Sequence, residues 1–171
     1  MKQVSTIYTS DKVTDTKYQD ELNSFLFSDK FINLLILNGK KIKAYKLFFT
    51  MLEFLKQKAE KQNEISLSAF EIVEHAILNC MPSLEVRKVR VAGTTYLVPA
   101  MIPKKKQEAL AMRWIIEAAK KKKKASKLIF AQCLSDEIFD AFLKQGYART
   151  KRNELHRLAE ANRAYIRYRW W

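Results

Sequence analysis

The sequence is short of glycine and proline, with three of each in 171 residues. A long all-β sandwich or barrel needs many tight turns, and tight turns need those two residue types. The same scarcity suits a chain that is mostly helix. Cysteine is also scarce. Cys80 and Cys133 are far apart in sequence and match neither a zinc-ligand spacing nor a disulfide framework. They read as small core residues in a reducing compartment. No long hydrophobic run is present. The most apolar stretch, FINLLIL at Phe31–Leu37, is interrupted by Asn33 and falls far short of the roughly 20 residues that span a bilayer. The N-terminal MKQVSTIYTSDK has neither the apolar core of a secretory signal nor the arginine content of an import presequence. Acidic residues are outnumbered, 18 against 32 basic, for a net charge of +14. With 48% hydrophobic residues the chain is too apolar for a disordered basic tail. Its length buries roughly two-thirds of the unfolded surface, enough for one core.

The positive charge is concentrated. Residues 1–81 are nearly neutral, whereas 82–124 hold 12 basic and 3 acidic residues. Residues 125–145 are again nearly neutral, and 146–171 hold 7 basic and 2 acidic. Two basic blocks interleaved with aromatics are the electrostatic footprint of a protein that meets a polyanion.

Residues 1–24 are polar and aperiodic, which predicts a loose arm ahead of a single helical domain over 25–171. Ser28 or Asp29 is the expected cap of a first helix through Phe31–Leu37, closed by Gly39. Its apolar residues go nearly all round, so it should be buried. A second helix to about Lys58 has Ala44, Tyr45, Phe48, Met51, Leu52 and Leu55 at three- and four-residue spacing. Ser68-x-x-Glu71 has the form of a capping box for a third helix that ends before Pro82. His75 on it reads as a surface residue. Residues 84–101, LEVRKVRVAGTTYLVPAM, read as a β-hairpin turning at Ala92-Gly93. Cations on both faces predict that it projects as an arm and is ordered by what it binds.

A fourth helix from Lys104 to about Lys124 places Lys106, Arg113, Glu117, Lys120 and Lys124 in one stripe on an otherwise apolar cylinder. The fifth is expected to start at a Ser126 cap, with Leu128 inward, and to stop at Gly146. The sixth is expected from about Thr150, with Arg152, His156, Arg163 and Arg167 on the anion-facing side. Leu155, Leu158, Ala159, Tyr165 and Ile166 take the core side. The predicted fold is therefore mostly α: six helices with a protruding two-stranded β-hairpin between the third and fourth.

No catalytic constellation can be assembled. The sequence has no P-loop, GxGxxG or HExxH motif. The carboxylates of the basic half, Glu85, Glu108, Glu117, Glu154 and Glu160, sit on different elements and form no metal cluster. No cofactor or metal is expected, and the chain reads as a non-enzyme. Cations drawn from a hairpin, helices and a corner suit an irregular folded RNA better than a DNA groove read by one helix. A membrane surface would ask for bulky apolar residues beside the cations. A free DNA-binding regulator is the alternative. Tyr96, Tyr168, Trp170 and Trp171 are candidates for stacking on exposed bases.

Five segments carry a resemblance: NGKK at Asn38–Lys41, AFEIVEHAI at Ala69–Ile77, EVRKVRVAGTTYLVP at Glu85–Pro99, ALAMRWIIEAAKK at Ala109–Lys121 and HRLAEANRAYIRYRW at His156–Trp170. In this order and spacing they resemble the small-subunit ribosomal protein seven family of bacteria and organelles. The resemblance implies a six-helix domain with a β-ribbon and a primary binder of the 3′ major domain of small-subunit ribosomal RNA that nucleates assembly of the subunit head. It also implies a ribbon near the exit-site transfer RNA and the messenger RNA exit path, and small-subunit ribosomal proteins nine and eleven as neighbours.

Carried over by position, it implies RNA contacts at Lys40, Lys41, Arg87, Lys88, Arg90, Lys104, Lys105, Lys106, Arg113, Lys151, Arg152, Arg163 and Arg167. Lys120, Arg149, His156 and Arg169 of the same basic blocks complete the expected set. Arg90, Gly93, Thr94 and Tyr96 form the tip expected to face transfer RNA. The chain departs from the bacterial pattern in its arm, where residues 1–24 carry three lysines and four acids. Lysine, isoleucine and phenylalanine richness suggests an AT-biased genome. A ribosome of the mitochondrial matrix is therefore expected, with the bacterial cytoplasm or a plastid as alternatives.

Overall fold

The computed structural model describes residues 27–61 and 67–171, so the arm expected over 1–24 lies outside the described residues. The chain falls into two compact units, Met1–Tyr45 and Lys46–Trp171. In the first, residues 27–35 form helix α1. Ser28 and Asp29, expected as caps, lie inside this helix, and Asp29 accepts a hydrogen bond from the Tyr45 hydroxyl. Phe31 and Ile32 are buried, but Leu37 at the far end is exposed, so all-round burial holds only for the first half of the apolar run. Asn38 and Gly39 take φ of 52° and 72°, which ends the helical path.

Helix α2, Lys41–Lys61, runs one turn past its expected end. Ala44, Phe48, Met51, Leu52 and Leu55 are buried at the predicted spacing, while Glu53, Lys56 and Gln57 are exposed. Lys58 in its last turn pairs with Asp136.

Helix α3, Ala69–Cys80, starts with both bonds of the capping box: the Glu71 N–H donates to the Ser68 hydroxyl and the Ser68 N–H donates to the Glu71 carboxylate. Strands β1, Leu84–Val91, and β2, Thr94–Met101, pair antiparallel with Val91 opposite Thr94. The two-residue turn has φ of 47° at Ala92 and 86° at Gly93, the doubly positive geometry that matches strand twist.

The ribbon is not the free arm expected from its cations. Val89, Val98 and Ala100 are buried, because β1 packs on the last α-helix and β2 on the C-terminal turn. At the outer end Arg90 and Ala92–Thr95 are exposed, as are Arg87 and Lys88 along β1.

Helix α4, Lys104–Ala125, buries Ala111, Met112, Ile115, Ile116, Ala118 and Ala119. It leaves Lys106, Arg113, Lys120 and Lys124 exposed as one seam. Helix α5, Phe130–Phe142, begins later than expected. Ser126 closes α4 instead of opening α5: its hydroxyl donates to the Lys122 carbonyl, and Leu128 and Ile129 are left exposed in the connection. A serine after a helical run serves either end, and the lysine run ahead of it settled which.

Helix α6, Gly146–Ala161, likewise starts one turn early, at the glycine expected to end α5. Lys144 at φ 60° makes the stop. Asn162 breaks α6, and a 3₁₀ helix follows over Arg163–Tyr168. Helices α3 to α6 pack on one another around Ile72, Ile77, Met112, Ile115, Leu134 and Ile138, with α5 against α3, α4 and α6. Cys80 and Cys133 are both buried. Burial pushes the Cys80 thiol up to about 11, a thiol kept protonated and unreactive. Among the described residues no helix is long and apolar enough to cross a membrane.

Candidate nucleic-acid interface

Three helices begin against their own dipole. α2, α4 and α6 have no acidic residue in the first turn, and α4 opens on Lys104, Lys105 and Lys106, all exposed. A cation at a helix N-terminus is unfavourable by about 0.3–1 kcal/mol. Local stability does not account for Lys104 and Lys105, whereas an anion arriving there would be held by both their ammonium groups and the helix N-terminus.

Two carboxylates inside the basic region tie separate elements together. Glu85 on β1 accepts from Arg87 Nε at 2.7 Å and from Lys106 of α4. Glu117 on α4 accepts from Lys151 of α6 at 2.7 Å, with Lys121 at 3.7 Å. Partial burial works against the charge on Glu85, but the bonds from Lys106 and Arg87 outweigh it and hold its pKa below the ordinary carboxylate value. Lys151 does the same for Glu117. Each carboxylate bridges two cations, so the acids fasten the basic elements to one another.

The side chains at the start of α6 turn inward. The Arg149 guanidinium donates to the Asn79 carbonyl, and Arg152 Nε donates to the Met81 carbonyl at 3.1 Å. Together they satisfy carbonyls at the C-terminal end of α3, where cations also suit the dipole. The Arg149 Nε is buried with no hydrogen-bond partner among the described residues. His156 Nε2 accepts from the Ser83 N–H at 3.1 Å. Burial, then the charges of Arg152 and Arg149, hold its pKa below the ordinary imidazole value, so it sits there neutral.

The anion-facing side expected for this helix is therefore corrected. Arg152 and His156 face the protein, and Leu158, expected inside, is 44% exposed. A helical wheel separates polar from apolar, but it does not separate an arginine that meets a phosphate from one that caps a neighbouring helix.

Past the break at Asn162 the chain leaves that wheel. Arg163, Arg167 and Arg169 are exposed. Arg163 and Arg169 line a groove of about 460 Å³ with Leu84, Met101 and His156, between the ribbon base and the chain's end. Tyr96 is drawn off the expected ribbon tip. Its ring stacks on Tyr168 at 4.7 Å and 27°, and lies 5.2 Å from Tyr165. Arg90, Gly93 and Thr94 are exposed at the tip.

The ion pairs bring Arg87, Lys106, Lys151 and the Arg113 seam onto linked elements. Lys88, Arg90, Lys104, Lys105, Arg113, Lys120 and Arg163 are exposed and pair with no carboxylate among the described residues. Lys40 and Lys41 are exposed in the first unit, where the Lys41 ammonium lies 5.5 Å from the Tyr45 ring. Arg157, outside the expected set, is also exposed, on α6. Taking Ala148, Arg152, Leu155 and Ala159 as the inner face would have put it opposite. Among the described residues no group of three His, Cys, Asp or Glu is placed to hold a metal ion.

Residues 3–163 match the family described as Ribosomal protein S7p/S5e. The small ribosomal subunit protein uS7m of Prototheca wickerhamii is 41% identical over 197 aligned positions, covering 84% of this chain and 89% of that protein. The uS7 proteins of Colwellia psychrerythraea and Wigglesworthia glossinidia brevipalpis are 42% and 43% identical, each alignment covering 91% of both chains. The chain belongs to the ribosomal protein S7p/S5e family of the small ribosomal subunit.

Proposed function

We propose that this chain is a structural, non-catalytic protein that binds small-subunit ribosomal RNA by holding phosphates at several elements at once. The observation that carries the reading is the division of its cations. One set, Arg149, Arg152, Lys151 and Lys106, is engaged within the fold. The other, Lys88, Arg90, Lys104, Lys105, Arg113, Lys120 and Arg163, is exposed and unpaired among the described residues; all but Arg163 lie on β1 and α4, which Lys106 and Lys151 tie to each other and to α6. Family membership supports the finer assignment: the 3′ major domain as the RNA bound, and nucleation of the subunit head as the outcome. It also supports a ribbon tip near exit-site transfer RNA and the messenger RNA exit path, with small-subunit proteins nine and eleven alongside. We assign it to the mitochondrial matrix, on its likeness to a uS7m protein and its lysine-rich, isoleucine-rich composition; organelle fractionation tests that.

The central test is binding to a transcript of the 3′ major domain across salt. Neutralising about six phosphates should weaken binding by on the order of 10³-fold between about 50 and 200 mM salt, taking the duplex-DNA slope as a guide. A shallow dependence, or preference for duplex DNA over the transcript, overturns the reading.

A further inference from the structure

The aromatic residues near the chain's end divide into two sets. Tyr96, Tyr165 and Tyr168 stack on each other, with Tyr165 and Tyr168 6.3 Å apart and 22° from parallel. Their faces are occupied, and they fasten the C-terminal turn to β2. The tryptophans are disposed otherwise. Trp171 lies under the Arg87 guanidinium, 5.2 Å from its ring centre. Trp170 stands nearly perpendicular to it, at 86° and 5.7 Å, and is 81% exposed. The two indoles and Arg87, Lys88, Val89 and Arg90 line a cleft of about 410 Å³, a volume in the range of small-ligand clefts, about 300–1,000 Å³.

We propose that this cleft is a binding site for one unpaired nucleotide of single-stranded RNA, its base stacked on the open face of Trp170 and its phosphate held by Lys88 and Arg90. The proposal rests on the RNA-binding reading above and adds a ligand class to one place on that surface. The chemistry selects single strand over duplex. In a duplex each base face is covered by its neighbours, so an indole finds no face to meet, whereas an unpaired base offers one. Arg87 is already held by Glu85 and by the Trp171 ring, so it forms a wall of the cleft and fixes that indole. Lys88 and Arg90 have no such engagement and stand ready for phosphate. The exposed indole leaves apolar surface in water, and a nucleotide would cover it with its base while its phosphate meets the neighbouring cations.

The test uses the full chain, its tryptophan emission, and an oligouridylate of about eight nucleotides. Binding should quench the emission, and a blunt RNA duplex of equal length should bind more weakly at the same salt. Trp170→Ala should lose about tenfold in affinity for the single strand, while Trp170→Phe keeps most of it. Lys88→Ala should lower the salt slope by about one ion. Because Trp170 is exposed, circular dichroism and the melting temperature should not move. Unchanged affinity in Trp170→Ala, or a duplex bound as tightly as the single strand, overturns the cleft. The 3′ major domain transcript, titrated in parallel, separates the two readings: if it still binds with steep salt dependence, only the cleft is lost, and if it does not, the RNA-binding function falls as well.

Discussion

At the residue scale, Gly146 and His156 each have one physical task. Gly146 has φ +87°, and a Cβ there would come within 2.9 Å of the Glu137 Oε1 and 3.1 Å of the Asp140 Cβ. The space is filled because Glu137, fully buried, accepts from the Ala148 N–H at 3.0 Å and meets Lys122 at 2.9 Å. Gly146→Ala should therefore lower unfolding free energy by about 1–3 kcal/mol, from backbone strain and displacement of that carboxylate; chemical denaturation checks it. His156 is held neutral as an acceptor. Its folded pKa lies below the unfolded value, so the unfolded chain takes up the proton first and stability falls as pH drops below about 6.5. The contribution is complete above that pH and lost on the way down to the lowered folded pKa. The slope of melting temperature against pH in that window should flatten in His156→Gln.

At the scale of elements, the ribbon shows how a marginal structure becomes ordered. A two-stranded hairpin alone is barely stable in water. This one carries an alanine at positive φ in its turn, and non-glycine residues disfavour that region. What offsets this is the buried side, Val89, Val98 and Ala100, and the tyrosine stack on the C-terminal turn. Aromatic pairs add about 0.5–1.5 kcal/mol beyond their buried area. Tyr168→Ala should accordingly speed amide exchange of β1 and β2 while α3 and α5 keep their protection, read by hydrogen exchange. Equal exchange in Tyr168→Ala and the unaltered chain would show that the strands hold themselves.

At the scale of the whole chain, the two sets of cations predict opposite phenotypes. Arg163→Glu should reduce binding to the ribosomal RNA transcript by about tenfold, a loss on the order of 1.4 kcal/mol, and leave the melting temperature in place, since the side chain is exposed. Arg152→Ala should instead destabilise the fold by about 1–3 kcal/mol, because the Met81 carbonyl loses a charged donor. Titrating both variants beside their melting curves separates an RNA contact from a structural arginine.

Much of the fold was legible in the sequence because it is written in local rules. Three- and four-residue apolar spacing marked α2, a narrow charged stripe on an apolar cylinder marked α4, Ser68 and Glu71 marked the start of α3, and Ala92-Gly93 marked the turn. The block structure of the charge and the five family segments likewise followed from order along the chain; the first pointed to a polyanion and the second to a ribosomal protein. What the sequence left undecided were choices between partners distant along the chain. Whether Arg149 and Arg152 met a phosphate or the end of α3 depended on an element about seventy residues away. Composition and periodicity decide which residues are polar and how they alternate. Only packing decides what a long, flexible, charged side chain reaches, because that is set by whichever carbonyl, carboxylate or ring the tertiary fold brings within its length.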